Sequence, residues 1–210
     1  MNILLFVAAA VTAYIFAGVN PAIEFSKRIY HTDIRTCGSG NPGFTNFKRT
    51  FGNKWAWWVL VLDLAKAAVP VVIFANLFEH FMGAYQIGAA FTGVFAILGH
   101  AYPVWYRFKG GKGFLVNMSV MWLVDWRAGL IALAVMIVLL LVTKYMSLST
   151  VVAMLTCPIT LAVTKAPLAA VLLCTGAVLF MAWRHKENFK RLINGTESKF
   201  HLSSKKTQHT

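Results

Sequence analysis

Long apolar runs separated by short polar segments dominate the chain. Most of these runs approach the roughly 17–25 residues that a membrane-spanning helix needs. They predict spans at 3–23, 55–78, 84–104, 114–124, 128–143, 148–164 and 167–183. The fourth run is short and the sixth lies at the lower limit, so we expect seven crossings, or six if 114–124 is re-entrant. The pattern predicts an all-α, polytopic integral membrane protein.

The basic residues between the runs fall mostly on one side of the predicted membrane. With seven spans, one face receives Lys27, Arg28, Arg35, Lys48, Arg49, Lys54, Arg107, Lys109, Lys112, Lys144 and the basic residues from Arg184 onward. The other face receives only Arg127 and Lys165, and Lys66 lies within a span. Cytoplasmic connections are enriched in Lys and Arg, so the N-terminus is expected outside and the C-terminus in the cytoplasm. Residues 1–195 are predicted to form one transmembrane domain, and the basic segment 196–210 a disordered tail.

Composition and charge narrow the function classes. The chain is 58% hydrophobic and only 13% charged, which is far from the balance of a soluble domain. Its net charge of +13 comes from basic residues that flank the spans, which disfavours nucleic-acid binding. Cys37, Cys157 and Cys174 are odd in number and two lie in apolar runs, so no disulfide framework is expected. The first run lacks a basic start and continues to about Val19, unlike a cleavable signal peptide.

The first glycine-rich segment, CGSGNPGFTNFKRTFG from Cys37 to Gly52, contains the order G-x-G-x-x-G. A dinucleotide-binding fold would require a preceding strand and an acid in a soluble βαβ unit. Here a predicted span precedes the segment, and Asp63, the acid at the required spacing, lies in another span. The dinucleotide-binding interpretation therefore fails. Glycines can still turn backbone amides toward an anion. Ser39, Asn41, Thr45, Asn46 and Arg49 would add donors to such a site; the alternative is a flexible juxtamembrane loop.

The second glycine-rich segment, GHAYPVWYRFKGGKGF, lies on the same predicted face. Gly110, Gly111 and Gly113 surround Lys112, an order too compact for a P-loop. The lysine and bare amides could nevertheless bind one anion. The alternative is an anchor at the membrane surface, and His100 at the end of the preceding span is more typical of a packing residue than of a catalyst.

Two further groups of polar residues complete the candidate chemistry. Asp63 and Lys66 are three residues apart within a span, where they can form an ion pair that is either structural or functional. The last span continues into RHKENFKRLINGTE, where His185 and Asn188 share a helix face and Arg191 is slightly rotated from them. The alternative for this segment is a solvated basic helix end. Both glycine-rich loops and this helix end are predicted on one membrane face.

In order and spacing, these motifs resemble the bacterial membrane acyl-phosphate:glycerol-3-phosphate acyltransferases of the PlsY type. The resemblance runs from end to end and rests on DIRTCGSGNPGFTNFKR, GHAYPVWYRFKGGKG, and Ser147 followed by RHKENFKRLINGTE. Phe44, Ala67 and the stretch Phe114–Met118 depart from the family pattern. These departures leave open a change of substrate or a catalytically degenerate member.

The resemblance implies a first acylation of phospholipid synthesis in the bacterial inner membrane, with acyl phosphate and glycerol 3-phosphate as substrates. It implies no metal, cofactor, acyl-CoA, acyl carrier protein or obligate protein partner. The implied phosphate-binding residues are Ser39, Gly40, Asn41, Gly43, Thr45, Asn46, Arg49, Lys112, Ser147, His185, Asn188 and Arg191. Gly110, Gly111, Gly113, Asp63 and Lys66 would support them.

The expected chemistry needs no protein nucleophile, because an acyl phosphate is a mixed anhydride with a good leaving group. Cys37 has no evident base beside it in the sequence. The resemblance implies that the phosphate of the substrate takes the hydroxyl proton, and His185 or His100 is the alternative base. A transporter or channel for phosphorylated metabolites is the rival function, although no matching polar site is predicted on the outer face.

Overall fold

The structure is a computed structural model that describes residues 2–200 of the 210-residue chain. Its ten α-helices within these residues are α1 (Asn2–Gly18), α2 (Pro21–Tyr30), α3 (Phe44–Phe51), α4 (Asn53–Met82), α5 (Tyr85–Ala101), α6 (Phe114–Val124), α7 (Trp126–Thr143), α8 (Met146–Val163), α9 (Leu168–Arg184) and α10 (Lys186–Ile193). Short 3-10 turns form at Ile34–Thr36 and Val104–Tyr106. The predicted all-α membrane architecture is confirmed.

Helix length decides which of the predicted spans can cross a bilayer alone. Within residues 2–200, five helical segments are long and apolar enough to cross, or six if α9 and α10, which meet at a 51° bend, form one span. The run predicted at 114–124 forms α6, whose eleven residues extend only about 16 Å, roughly half the hydrocarbon thickness. The number of crossings and the orientation of the termini stay predictions.

The first predicted span, 3–23, ends earlier than its hydrophobicity suggested. Helix α1 stops at Gly18, and α2 restarts with Pro21 in its first turn. The side chain of Asn20 accepts a hydrogen bond from the amide of Ile23 and so caps α2. The amphipathic α2 therefore belongs to the polar face of the molecule, close to the first glycine-rich segment.

Helix α5 occupies the centre of the bundle and packs against α1, α4, α6 and α9. The buried side of α1 carries only small residues, Ala9, Ala13, Ala17 and Gly18, which allow close helix approach in a membrane. At Gly99 of α5, a side chain would place a Cβ 2.2 Å from the carbonyl oxygen of Tyr14. This close contact fixes the end of α5, from which the second glycine-rich segment departs.

The C-terminal segment Thr196–Phe200 has no regular secondary structure but makes defined contacts. The amides of Thr196 and Glu197 both donate to the carbonyl of Arg191, and the amide of Phe200 donates to the carbonyl of Lys144 at 2.7 Å. The segment therefore runs from α10 to the end of α7. The rest of the predicted disordered tail, 201–210, lies outside the described residues, and its disorder stays a prediction.

Candidate active site

A cavity of about 250 Å³ lies where both glycine-rich segments meet the starts of α3, α8 and α10. Most of the predicted site residues line it. They are Ser39, Asn41, Gly43, Thr45, Asn46, Arg49, Asp63, His100, Lys112, Gly113, Ser147, His185, Asn188 and Arg191. Gly40, Lys66, Gly110 and Gly111 do not line the cavity. Segments as distant as residues 39 and 191 thus converge on one site, as the sequence predicted.

Several backbone amides of the first loop donate hydrogen bonds to acceptors within the same loop. The amide of Gly40 donates to the carbonyl of Cys37 at 2.9 Å, and the amide of Gly43 donates to that of Asn41 at 3.0 Å. Buried Asn46 accepts from the amide of Ser39 at 3.0 Å and donates to the carbonyl of Cys37 at 3.0 Å. The expected cradle of backbone amides near Gly40 to Thr45 therefore does not include the amides of Gly40 and Gly43, which already have acceptors. Asn46 holds the loop in shape.

The free donors of this loop come instead from the first turn of α3. Gly43 precedes α3 without providing a side-chain cap, and the amides of Phe44, Thr45 and Asn46 have no intrahelical acceptor. All three residues line the cavity. A helix N-terminus attracts anions through such amides and through its dipole. Arg49, in the second turn of α3, adds an exposed guanidinium at the cavity edge.

The second loop folds back onto the end of α5. The amide of Gly110 donates to the carbonyl of Ala101 at 3.1 Å, and that of Gly111 donates to the carbonyl of His100 at 3.2 Å. A Cβ on Gly111 would lie 2.2 Å from Nε2 of His100. The amides of Gly110 and Gly111 therefore face α5 rather than an anion, and these two glycines allow the loop to pack tightly over the His100 ring. Lys112 and Gly113 of this loop line the cavity, and Lys112 brings a positive charge to it.

Lys112 reaches across the cavity to α10, where its ammonium donates to Oδ1 of Asn188. Burial, reinforced by the charges of Arg191 and Arg184, lowers the pKa of Lys112 to about 8, although the carboxylate of Glu197 opposes the shift. At neutral pH the ammonium is still charged for the most part. A half-buried cation with a neutral partner in the cavity is suited to an anionic ligand.

Glu197 is the main residue of the site that sequence reasoning missed. Its carboxylate accepts hydrogen bonds from Oγ of Ser147 at 2.7 Å, Nδ2 of Asn188 at 2.6 Å and Nε of Arg191 at 2.7 Å. Burial acts to raise the pKa of Glu197, but these three hydrogen bonds and the charge of Arg191 outweigh it and lower the pKa. The available signal was a single acid just after the basic α10, within a segment predicted to be disordered.

His185 lies at the bend between α9 and α10, and its ring is buried against the cavity. Nδ1 lies 2.8 Å from the carbonyl oxygen of Met181, which can only accept, so Nδ1 carries the proton. Burial lowers the pKa of His185 to about 4, with the charge of Lys112 adding to the effect and the bond to Met181 opposing it. The ring is therefore neutral at physiological pH, and its Nε2 is free to accept a proton.

Beneath the loops, Asp63, Lys66 and His100 form a buried polar cluster between α4 and α5. The ammonium of Lys66 lies 2.9 Å from Oδ1 of Asp63 and donates to the carbonyl of Val19 at 2.9 Å. His100 Nδ1 is 3.8 Å from the same carboxylate oxygen. Lys66 thus satisfies a carbonyl at the break between α1 and α2, which favours the structural interpretation of the Asp63–Lys66 pair. Asp63 and His100 form part of the cavity floor.

The other wall of the cavity is apolar. Leu60 of α4, Phe114 and Leu115 of α6, and Met136 and Met146 at α7 and α8 line it. Phe44, one of the departures from the family pattern, also lines the cavity and packs its ring against Trp57, with centroids 5.4 Å apart. The site therefore joins a polar, cationic half to a hydrocarbon-like half.

Comparisons with known proteins agree with this architecture. A family model described as Glycerol-3-phosphate acyltransferase matches residues 7–195. A glycerol-3-phosphate acyltransferase of Coxiella burnetii (strain Dugway 5J108-111) is 33% identical, with 94% of this chain and 99% of the relative covered. One of Thermoanaerobacter sp. (strain X514) is 36% identical over 92% of this chain and 94% of the relative.

Two crystal structures of PlsY (YgiH), an integral membrane glycerol 3-phosphate acyltransferase, are also similar. The glycerol 3-phosphate form has a TM-score of 0.85 and 29% identity, covering 93% of this chain and 96% of that one. The lysophosphatidic acid form has a TM-score of 0.82 and 28% identity, covering 93% and 95%. With a family model matched over nearly its whole length and relatives above 30% identity, this chain belongs to the glycerol-3-phosphate acyltransferase family of the PlsY type.

Proposed function

We propose that the protein transfers a fatty acyl group from an acyl phosphate to the 1-hydroxyl of glycerol 3-phosphate. The products are lysophosphatidic acid and inorganic phosphate, and the site faces the cytoplasm from a bacterial plasma membrane. Membership of the family supports acyl transfer to glycerol 3-phosphate. The observation that carries the proposal is a single cavity in which cationic and amide donors face an apolar wall.

The polar half of the cavity suits two phosphate groups held close together. The amides at the start of α3 and the guanidinium of Arg49 form one group of donors, and Lys112 forms a second beside Asn188. Oriented amides and fixed cations stabilise charge that develops in a transition state without having to reorganise. Ser147, Asn188 and Arg191 are bound to Glu197, so they act chiefly as a frame, in which Asn188 accepts a hydrogen bond from Lys112.

The apolar half of the cavity supports a donor whose acyl chain remains in the bilayer. Leu60, Met136 and Met146 are close to the polar loops, so a carbonyl at this boundary would meet a hydroxyl held by the loops. Fixing the two reactants in this way supplies the proximity contribution to the rate.

In the proposed step, the 1-hydroxyl oxygen of glycerol 3-phosphate bonds to the acyl carbonyl carbon. The bond from that carbon to the phosphate oxygen breaks, and phosphate leaves with the electron pair. The hydroxyl proton passes either to the departing phosphate or to Nε2 of neutral His185, which is free to accept it. Cys37 is not needed as a nucleophile, and the polar contacts of its thiol are with the carbonyl of Asp33 and the hydroxyl of Thr36.

The test is an assay of detergent-purified protein with palmitoyl phosphate and glycerol 3-phosphate, measuring lysophosphatidic acid and released phosphate. We expect equal amounts of both products, and none of either with palmitoyl-CoA as donor. Activity with palmitoyl-CoA alone would reject the donor assignment. Absence of both products from folded protein would favour the degenerate family member, and anion movement into sealed vesicles without acyl transfer would favour a transporter.

A further inference from the structure

We infer that Arg35 and Arg184 are positioning residues that clamp the second glycine-rich loop, so that Lys112 is presented to the cavity. This inference rests on the proposed function of Lys112 as a phosphate-binding group. Neither arginine lines the cavity, so each acts on the reaction through the loop between them, and Arg184 also through its charge, which helps to lower the pKa of Lys112.

The two guanidinium groups bind the carbonyls of the loop in succession. Nη1 of Arg35 donates to the carbonyl of Tyr106 at 3.0 Å and of Lys109 at 3.4 Å. Nη2 of Arg184 donates to the carbonyls of Gly110 at 3.3 Å and Gly111 at 3.0 Å. The planar, multiply donating guanidinium suits this task, because one side chain can satisfy two adjacent carbonyls.

Each arginine is itself held in place by a second contact. Asp33 binds Arg35 through two nitrogens, at 3.0 Å from Nε and 2.6 Å from Nη2. The guanidinium of Arg184 lies over the ring of Tyr102, 5.1 Å from its centroid, as cations commonly do over aromatic faces. The clamp therefore connects the loop to the start of the first glycine-rich segment on one side and to the end of α9 on the other.

The loop also needs external support because its backbone is unfavourable. Arg107 and Phe108 have φ values of 57° and 58°, in the left-handed region that side-chain residues seldom occupy. Such conformations persist only where surrounding contacts determine them. The amides of Gly110 and Gly111 are bound to α5, so the arginines complete the fixation by binding the carbonyls.

The first test is hydrogen–deuterium exchange of the peptide covering 103–113 in detergent-solubilised protein. We expect faster exchange in Arg184→Gln and in Arg35→Gln, and wild-type exchange in the control Lys109→Gln, which removes an exposed positive charge from the same loop. Exchange in both arginine variants equal to that of the control would overturn the clamp. The measurement needs no turnover, so it separates failure of the clamp from failure of the proposed acyl transfer.

The second test compares KM and kcat of the variants. We expect Arg184→Gln to raise KM for glycerol 3-phosphate by about tenfold or more, with a smaller fall in kcat. The reason is that the freed loop would displace the ammonium of Lys112, and small displacements of a binding group have effects of this size. Arg184→Lys keeps the charge and the position over Tyr102 but cannot span two carbonyls, so its KM should be intermediate. If Arg184→Gln does not fold, Arg184→Lys decides the question, and a KM equal to that of Lys109→Gln would contradict the inference.

Discussion

The two glycine-rich loops have similar composition but use it in opposite ways. The first loop binds its own glycine amides internally and presents the free amides of the next helix, α3, to the cavity. The second loop binds the amides of Gly110 and Gly111 to α5 and presents the charged side chain of Lys112 to the cavity. In both loops, glycine amides are already bound within the protein, and groups suited to bind an anion lie just beyond these glycines. A glycine-rich loop is not by itself a backbone anion site.

The largest effect on catalysis is expected from removing the charge of Lys112, the charged residue that the second loop contributes to the cavity. Lys112→Met should lower kcat/KM for glycerol 3-phosphate by about 10²–10³-fold, the usual result of removing one preorganised donor from a reacting site. The measurement is steady-state release of phosphate, with Lys109→Met as the matched control on the exposed part of the loop. A fall in kcat/KM that occurs only in Lys109→Met would mean that general surface charge, not the cavity, binds the substrate.

The packing role of the second loop can be separated from charge by adding one methyl group. In Gly111→Ala, the new Cβ would meet Nε2 of His100 at 2.2 Å, so the loop must shift. We expect a destabilisation of about 1–3 kcal/mol, typical of overpacking, and a higher KM because Lys112 moves with the loop. Thermal unfolding in detergent and KM measurements would test both.

Gly43→Ala in the first loop is the matched comparison. Gly43 has an extended backbone with φ of −155°, and a Cβ there would lie 3.1 Å from the flexible amide nitrogen of Asn41. A smaller change in stability than for Gly111→Ala is expected. Equal effects at both positions would contradict the difference in packing between the loops.

The pH dependence of the reaction should be set by Lys112 of the second loop. The pKa of Lys112 is lowered to about 8, so its ammonium is present below that pH and is lost above it. We expect kcat/KM to fall about tenfold per pH unit on the alkaline side. His185, with a pKa lowered to about 4, stays neutral and adds no acidic limb between pH 5 and 8.

Lys112→Arg is the variant that checks this assignment. Arginine stays protonated throughout the accessible range, so the alkaline limb should move to higher pH or vanish, whatever the absolute rate. An unchanged limb in Lys112→Arg would assign it to another group.

The sequence was sufficient for the fold class, because long apolar runs define membrane helices. The candidate residues that line the cavity came from the polar motifs and from the family resemblance that these motifs carry. Hydrogen-bond direction could not be predicted in this way. Whether the amide of Gly111 faces an anion or the carbonyl of His100 depends on how closely the loop approaches α5, which no local pattern encodes.

The ordered contacts of Glu197 are a second feature that the local sequence pattern did not predict. Its neighbours in sequence are polar and basic, which predicts disorder, yet its carboxylate is held by Ser147, Asn188 and Arg191. The order of this segment comes from tertiary partners rather than from its own composition. A single acid next to a basic helix that faces a cationic site is the signal that could have identified it.

The smallest expected effect concerns Cys37, at the start of the first loop. The carbonyl of Cys37 accepts hydrogen bonds from the amide of Gly40 and from Asn46, whereas its thiol makes only weak contacts with Asp33 and Thr36. In the first loop the backbone carries the structure, so Cys37→Ser should change kcat and KM by no more than about twofold, within the range of a tolerated surface substitution. The variant should also be insensitive to a thiol-alkylating reagent, and alkylation of the wild type should slow the reaction little, because Cys37 does not line the cavity. A loss of turnover in Cys37→Ser comparable to that in Lys112→Met would instead require a covalent acyl-cysteine, and the direct transfer between two bound substrates would have to be abandoned.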